Sequence, residues 1–318
     1  MISFLTLAVK AQLNVHDLNN EAVAGNVTDI RIMDFLDEEG RRIEAPAVSG
    51  RMLKHWHFDA MNNLIMRGTY SSIPLCDGCK AKEPIRPGEL KDNKLVQVAK
   101  PESEAIKSCV VCDIHGFLIA QSAQDKTKGV SSRRTSRIMF SWLMPVLGTE
   151  TTYKQVVHTR VSQQQEMAEG EGAAQMIFNK SYASGIYAFV SALDIERIGL
   201  KDLSLGEDNP YAVPEDKRKE RIKVAIEALQ LMLSGQLGAS LSHALPHQNP
   251  IEILVTYSEK GPLPFPVSPM YTDFLNKTIG LMPKDSVFLY WGNSSHEKIK
   301  KMNSINEIFA ELMNKVEK

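Results

Sequence analysis

The opening stretch "ISFLTLAVKAQLNV" settles into alternation, with Leu5, Leu7, Val9, Ala11 and Leu13 separated by mostly polar positions. That period of two predicts a long β-strand over residues 1–16. The Asn- and Gly-rich segment "NNEAVAGNVTDIRI" then carries no period and reads as a loop. The spacing changes in "APAVSGRMLKHWHFDAMNNLI". Leu53, Trp56, Ala60 and Leu64 recur at helical intervals, and Ser49 is a suitable N-cap. Residues 68–108 are rich in Pro, Lys and Glu, lack a clear period, and read as an insertion. Residues 158–178 are polar and Gly-containing, which predicts a surface loop.

Regular patterning returns in the buried strand "SGIYAFVSALDI" and the amphipathic helix "PEDKRKERIKVAIEALQLMLSG". The helix stripe is Ile222, Ile226, Leu229 and Leu233, with Gly235 as its stop. The strand "IEILVTY" follows, and the chain closes on a helix opened by the capping-box pair Ser304 and Glu307. This order predicts an α+β fold with helices packed on one side of an antiparallel sheet, and a ferredoxin-like or RNA-recognition-motif core is its natural candidate.

Composition narrows the function classes. A formal charge of −1 over 318 residues advertises no global attraction to nucleic acid, so any such surface must be local. No apolar run reaches membrane-spanning length, and the N-terminus lacks a signal-peptide pattern, so a cytoplasmic protein is expected. The chain has 4 cysteines, in "CDGC" and "CVVC": Cys76, Cys79, Cys109 and Cys112. Two C-x-x-C knuckles with no other cysteine fit a four-thiolate structural zinc site, with Gly78 easing the first turn. A redox pair, reduced structural cysteines, and His115 as a competing ligand remain alternatives.

Two other places offer binding chemistry. The stretch "SSRRTSR" presents Arg133, Arg134 and Arg137 among hydroxyls, a mixture suited to phosphate. The helix start at Ser49 and Gly50 leaves backbone N–H groups for an anion, with Arg51, Lys54 and His55 close by in sequence. Both are also compatible with ordinary solvated charge. Catalytic signatures are thin: G-x-S-x-G, P-loop and H-E-x-x-H motifs are missing. Asp113 with His115, and His243 with His247, read better as structural polar residues.

Several blocks resemble one family: "PAVSGRMLKHWHF", "DIHGFLI", "RRTSRIMFSWLMP", "GAAQMIFNKSYASGIYAF" and "RIKVAIEALQLMLSGQLGASLSHALP". They are similar to the crRNA-binding backbone subunit of type I-A CRISPR Cascade complexes, the DevR-like autoregulator group of the RAMP superfamily. The resemblance implies one domain over 1–318, with a modified RNA-recognition palm, an inserted finger region at 68–112 and a thumb-like loop or hairpin at 155–178. It implies a non-enzymatic antiviral scaffold. Copies stack head to tail into a helical filament along the guide, beside other Cascade subunits, and target DNA is read through guide pairing.

Carried over residue by residue, the resemblance assigns crRNA contacts to Asn26, Ser49, Gly50, Arg51, Lys54, His55, Arg133, Arg134 and Arg137. It adds His158, Arg160, Gln175 and Met176 around the thumb, with Met167 as an apolar wedge near its tip. The knuckles are not general to the family, whereas D-x-H-G-F is. Four thiolates are therefore expected to hold the zinc, with His115 serving the fold or the RNA surface. Two alternatives follow from relatives: a target-RNA nuclease using Asp29, and a DNA-binding autoregulator.

Overall fold

A computed structural model describes residues 1–318 except 19, 25–26, 120–131, 161–175, 205–206, 234–243 and 318. The first part of the chain forms β1 (Phe4–His16), β2 (Asn20–Ala24), β3 (Val27–Ile30), β4 (Ile32–Leu36), β5 (Arg42–Pro46) and α1 (Gly50–Met66). The cysteine-bearing part forms α2 (Asp77–Lys80), β6 (Gly88–Lys91), β7 (Lys94–Gln97), α3 (Glu102–Ser108) and α4 (Val110–His115). Then come β8 (Phe117–Ile119), β9 (Ser132–Arg134), β10 (Ile138–Phe140), β11 (Met144–Pro145), β12 (Thr152–Arg160) and β13 (Met176–Asp194). The last part holds α5 (Glu215–Leu233), β14 (His247–Ser258), α6 (Phe274–Leu281), β15 (Val287–Trp291), β16 (Ile299–Lys301) and α7 (Ile305–Glu317).

The main sheet runs β16-β15-β14-β1-β13-β3-β2, with β10, β11 and β12 also pairing with β13. The strand expected over residues 1–16 is β1, and it is central. It pairs antiparallel with β13 on one side and β14 on the other. Its alternation sorts side chains between two cores. Leu5, Leu7, Val9 and Leu13 join the cluster containing α1, α5 and α7, whereas Phe4 and Ala8 join a second cluster with Phe274, Leu275 and Ile279 of α6. Helices were expected on one side alone; α6 and its flanking segment cover part of the other face. The sheet is also not wholly antiparallel, because β13 runs parallel to β3 and β15 parallel to β16.

The helix α1 begins where its cap predicts. Ser49 is extended, at φ −67° and ψ 147°, and its Oγ accepts from Met52 N at 3.3 Å. Leu53, Trp56, Ala60 and Leu64 are buried, and so are His57, Phe58 and Met61, because further elements pack on its flanks. The α5 stripe Ile222, Ile226, Leu229 and Leu233 is buried as its spacing implies. Gly235 lies outside the described residues. At α7, Glu307 N donates to Ser304 Oγ at 3.2 Å, but the Glu307 carboxylate accepts from Asn303 N instead of completing the box.

Two segments without a period are in fact paired. The early loop contains the β2–β3 hairpin, and the β4–β5 hairpin follows it. The polar stretch read as a loop holds the ends of a ribbon in which Thr152–Arg160 pairs with Met176–Ser184. Its nine pairs span about 27 Å at ~3.4 Å per residue. These halves write no strong strand signal, because the β12 side chains from Thr152 to Val157 are exposed and have no core face to select apolar residues.

Candidate functional site

The start of α1 opens into a cleft of about 620 Å³ lined by Arg31, Ser49, Gly50, Arg51, Lys54, Ser136, Ile138, Met139, Phe140 and Trp142. Its geometry is set by a strand crossing the helix end. Val48 and Leu143 exchange backbone hydrogen bonds at 3.0 and 2.9 Å. A Cβ on Gly50 would lie 2.6 Å from the Phe140 carbonyl oxygen, so only glycine lets the strand approach this closely. The lining carries three cationic side chains, two serines and two aromatic residues, and no carboxylate. Arg31 lies 5.8 Å from the Trp142 ring. Arg51 is exposed and makes no ion pair among the described residues.

Lys54 is half-buried, and its Nζ donates to the His115 carbonyl at 3.0 Å. Burial, with the nearby positive charge of Arg86, lowers its pKa to about 8. His55 is exposed beside Phe58, at 5.9 Å between ring centroids. The sequence thus located one wall of the cleft. Arg31, Phe140 and Trp142 were missed, since they sit 20 residues before and about 90 after Arg51 and join it only through the fold.

The three arginines of "SSRRTSR" separate. Arg133 is exposed on β9. Arg134 points inward, and its Nη2 donates to Asp113 Oδ1 at 2.5 Å, its Nε to the Asp113 carbonyl at 2.8 Å and its Nη1 to Glu102 at 2.6 Å. It also reaches the Leu200 and Arg197 carbonyls at 2.8 and 3.2 Å. Arg137 is fully buried and donates to Asp202 at 2.6 Å; burial, then the neighbouring Arg134 charge, lowers its proton affinity. Arg134 spends its donors on protein acceptors, and Arg137 is wholly buried with its Nε and Nη1 unpaired, so neither guanidinium presents a donor to an outside phosphate. Arg134 and Arg137 are therefore corrected from RNA ligands to parts of the framework.

Asp113 is the hub of that framework. Its second oxygen accepts from Arg221 at 2.7 Å, and Gly199 N donates to its first at 3.0 Å. It is not coupled to His115 as an acid–base pair. His57 Nε2 lies 3.0 Å from the Ala225 carbonyl and Nδ1 lies 2.9 Å from His115 Nε2. The carbonyl fixes His57 as the Nε2–H tautomer, so His115 Nε2–H donates to His57 Nδ1. Burial keeps both rings neutral, with His57 lowered to about 4 and His115 well below its ordinary value. Gly116 has φ +72°, and a Cβ there would lie 2.2 Å from the Arg134 carbonyl oxygen. The D-x-H-G-F run thus serves the fold throughout.

The four cysteines converge. Their sulfurs all lie within 4.8 Å of one another, all four residues are buried, and none is in a disulfide. Cys76 caps α2 and Cys109 caps α4, so each knuckle turns both its sulfurs to the same side. Cys76 and Cys112 sulfurs are 3.8 Å apart, near the edge of a tetrahedron with metal–sulfur bonds of ~2.3 Å. Gly88 N donates to Cys76 Sγ at 3.5 Å, and Cys112 N to Cys109 Sγ at 3.4 Å. Hydrogen bonding, with Cys109 foremost, drives Cys76 towards the thiolate and pushes Cys79 and Cys112 away from it. A divalent cation would relieve that competition by deprotonating all four. The cluster could hold a metal ion, and His115 is no part of it. Gly78 is required for a different reason than expected: it is helical, and a Cβ there would lie 2.1 Å from the Ile85 carbonyl oxygen.

On the ribbon, His158 lies 3.1 Å from the Tyr182 hydroxyl, and Arg160 pairs in register with Met176. These positions are on a different part of the sheet from the cleft lining. Asp29 lies on β3, not in a loop, and accepts from Ser181 Oγ at 2.6 Å and Ile30 N at 2.9 Å. His247 begins β14. Asn26, Met167, Gln175 and His243 lie outside the described residues.

Comparison with known proteins places this geometry in a family. Residues 7–279 match the family described as CRISPR-associated negative auto-regulator DevR/Csa2, and the chain belongs to it. It is 33% identical over 298 residues to the CRISPR-associated protein Cas7/Cst2/DevR of Methanocaldococcus jannaschii, covering 86% of each chain. It is 26% identical over 283 residues to the CRISPR-associated aCascade subunit Cas7/Csa2 2 of Saccharolobus solfataricus, covering 85% of this chain and 84% of that one. A chain of a CRISPR RNA-guided surveillance complex in a pre-nicking state shares the fold at a TM-score of 0.56, with 13% identity and coverage of 98% and 99%.

Proposed function

We propose that this chain is a non-catalytic, crRNA-binding backbone subunit of a Cascade-type interference complex. The carrying observation is the cleft at the start of α1, which gathers Arg31, Arg51 and Lys54 beside hydroxyls and aromatic surface without a lining carboxylate. Such a lining suits a phosphodiester backbone, which needs local cations and donors and conveys no base identity. Membership of the DevR/Csa2 family and the aCascade relative support the same reading.

The palm is a modified RNA-recognition fold. Its support is the side-by-side order β14, β1, β13 and β10, with α1 following β1 and α5 following β13 and both helices in one core cluster. The segment 68–112 is the finger region, and the β12–β13 ribbon is the base of the thumb at 155–178. Copies stack head to tail along the guide, other Cascade subunits cap the assembly, and target DNA pairs with the exposed bases. Among the described residues no helix is long and apolar enough to cross a membrane, which suits work in the cytoplasm. The four cysteines hold structural zinc: thiolate softness and a closed, buried set of four sulfur donors favour that ion.

The test is guide binding by the purified chain at several salt concentrations. Arg51→Gln and Lys54→Gln should each weaken binding to unrelated RNA sequences and reduce the salt slope by about 0.7 for every phosphate no longer neutralised. An unchanged slope in both variants overturns the assignment of this cleft. Regular cleavage of complementary RNA by the assembled complex, lost in Asp29→Ala, would overturn the non-catalytic reading.

A further inference from the structure

The cysteine-tied segment also carries a cation to the flank of α1. Arg86 lies with its guanidinium carbon 4.4 Å from the centre of the Phe58 ring, one turn along the helix from Lys54. It makes no ion pair or side-chain hydrogen bond among the described residues, and its Nε is buried without a partner. The charge is close enough to Lys54 to lower that lysine's proton affinity. Two cations are thus held near each other, and neither forms an ion pair with a carboxylate among the described residues. That arrangement is unfavourable alone and favourable once an anion sits between or beside them.

The placement of Arg86 is enforced from the cysteine side. Gly78 and Gly88 both lack the Cβ that would strike the Ile85 carbonyl, at 2.1 and 2.7 Å respectively. Gln97 Nε2 donates to the Arg86 carbonyl at 2.6 Å, and Val98 N to the Pro87 carbonyl at 3.0 Å. Two residues beyond Arg86, Gly88 N donates to the sulfur of Cys76. The path from a metal-ligating sulfur to the guanidinium is therefore short, continuous and well hydrogen-bonded.

We propose that Arg86 is a further ligand of the guide backbone, clamping one RNA phosphate together with Lys54, and that the cysteine cluster positions it. Metal loading and RNA grip are then coupled through this one residue. The inference rests on the reading of the α1 cleft as the guide-binding surface, and the experiment separates the two.

Binding of a labelled guide-length RNA is measured over a salt series for the full chain and for Arg86→Gln, Arg86→Lys, Lys54→Gln and the double variant, each with its metal bound. Arg86→Gln should lose about tenfold in affinity and about 0.7 in salt slope, Arg86→Lys should keep most of the slope, and the double variant should lose less than the sum of the singles. Cys79→Ser, or chelation of the metal, should weaken binding by the wild-type chain and have little further effect on Arg86→Gln. A full salt slope in Arg86→Gln beside a reduced slope in Lys54→Gln would overturn the proposal, leaving Arg86 to pack on Phe58. If Lys54→Gln and Arg51→Gln are both unchanged, the cleft reading itself has failed.

Discussion

Arg133 and Arg134 are adjacent in sequence and should behave oppositely when each is replaced by Gln. Arg134 donates to Asp113, Glu102 and the carbonyls of Leu200 and Arg197, with none of its side chain exposed. Its removal leaves Asp113, also fully buried, with one remaining cation in Arg221. Breaking a buried pair from one side costs about 3–5 kcal/mol; the retained Arg221 puts Arg134→Gln near the lower end, at about 3 kcal/mol. For a chain of 318 residues, at ~2.1 cal/mol/K per residue, the unfolding entropy is about 0.7 kcal/mol/K. The expected fall in Tm is therefore about 4–5 °C. Arg133 is exposed and outside any ion pair among the described residues, so Arg133→Gln should leave Tm within about 1 °C. Thermal unfolding followed by near-ultraviolet circular dichroism gives both Tm values, and a salt series of RNA binding on the folded proteins shows whether either arginine faces the RNA. The reasoning is refuted if Arg134→Gln keeps the wild-type Tm while losing salt slope, for then Arg134 faces the RNA and not Asp113.

Three further outcomes follow from the geometry. His16 and His57 are buried with pKa values lowered to about 4, so between pH 4 and 6.5 the unfolded chain binds more protons than the folded one. Stability contributed by these neutral rings is present above about pH 6.5 and lost as pH falls towards 4, by about 3 kcal/mol for each residue, and urea midpoints that stay level from pH 7 to 5 would contradict it. Metal analysis of protein purified under reducing conditions should give one zinc per chain, and Cys79→Ser should lose the metal and lower the Tm; four titratable thiols without metal would contradict the site. Gly116→Ala combines a φ of +72° with a Cβ 2.2 Å from the Arg134 carbonyl, and should cost about 2 kcal/mol or more in denaturant unfolding.

Where a segment meets one core across one face, its pattern could be read directly. The α5 stripe and the Ser49 cap are local decisions of that kind. The four-cysteine set was also legible, because two knuckles and no other cysteine leave few ways to close a site. The β12–β13 ribbon was not, since its exposed positions do not select a period. The cleft was read in part: Ser49 through His55 lie on one stretch of chain, while Arg31, Phe140 and Trp142 reach it from beside β3, from β10 and from beyond.

The resemblance of a few short blocks was enough for the family, and local spacing for the first long strand, the two long core helices and the thiol cluster. Which charges are buried against partners and which stay exposed was decided only by packing. An arginine carries the same donors whether it faces solvent or a carboxylate, and the partner that settles the matter is brought from far along the chain: Asp113 is 21 residues from Arg134 and 108 from Arg221. That is why three arginines in one basic stretch divide into one exposed cation and two buried struts, and why Arg86, inconspicuous in a polar insertion, arrives beside Lys54.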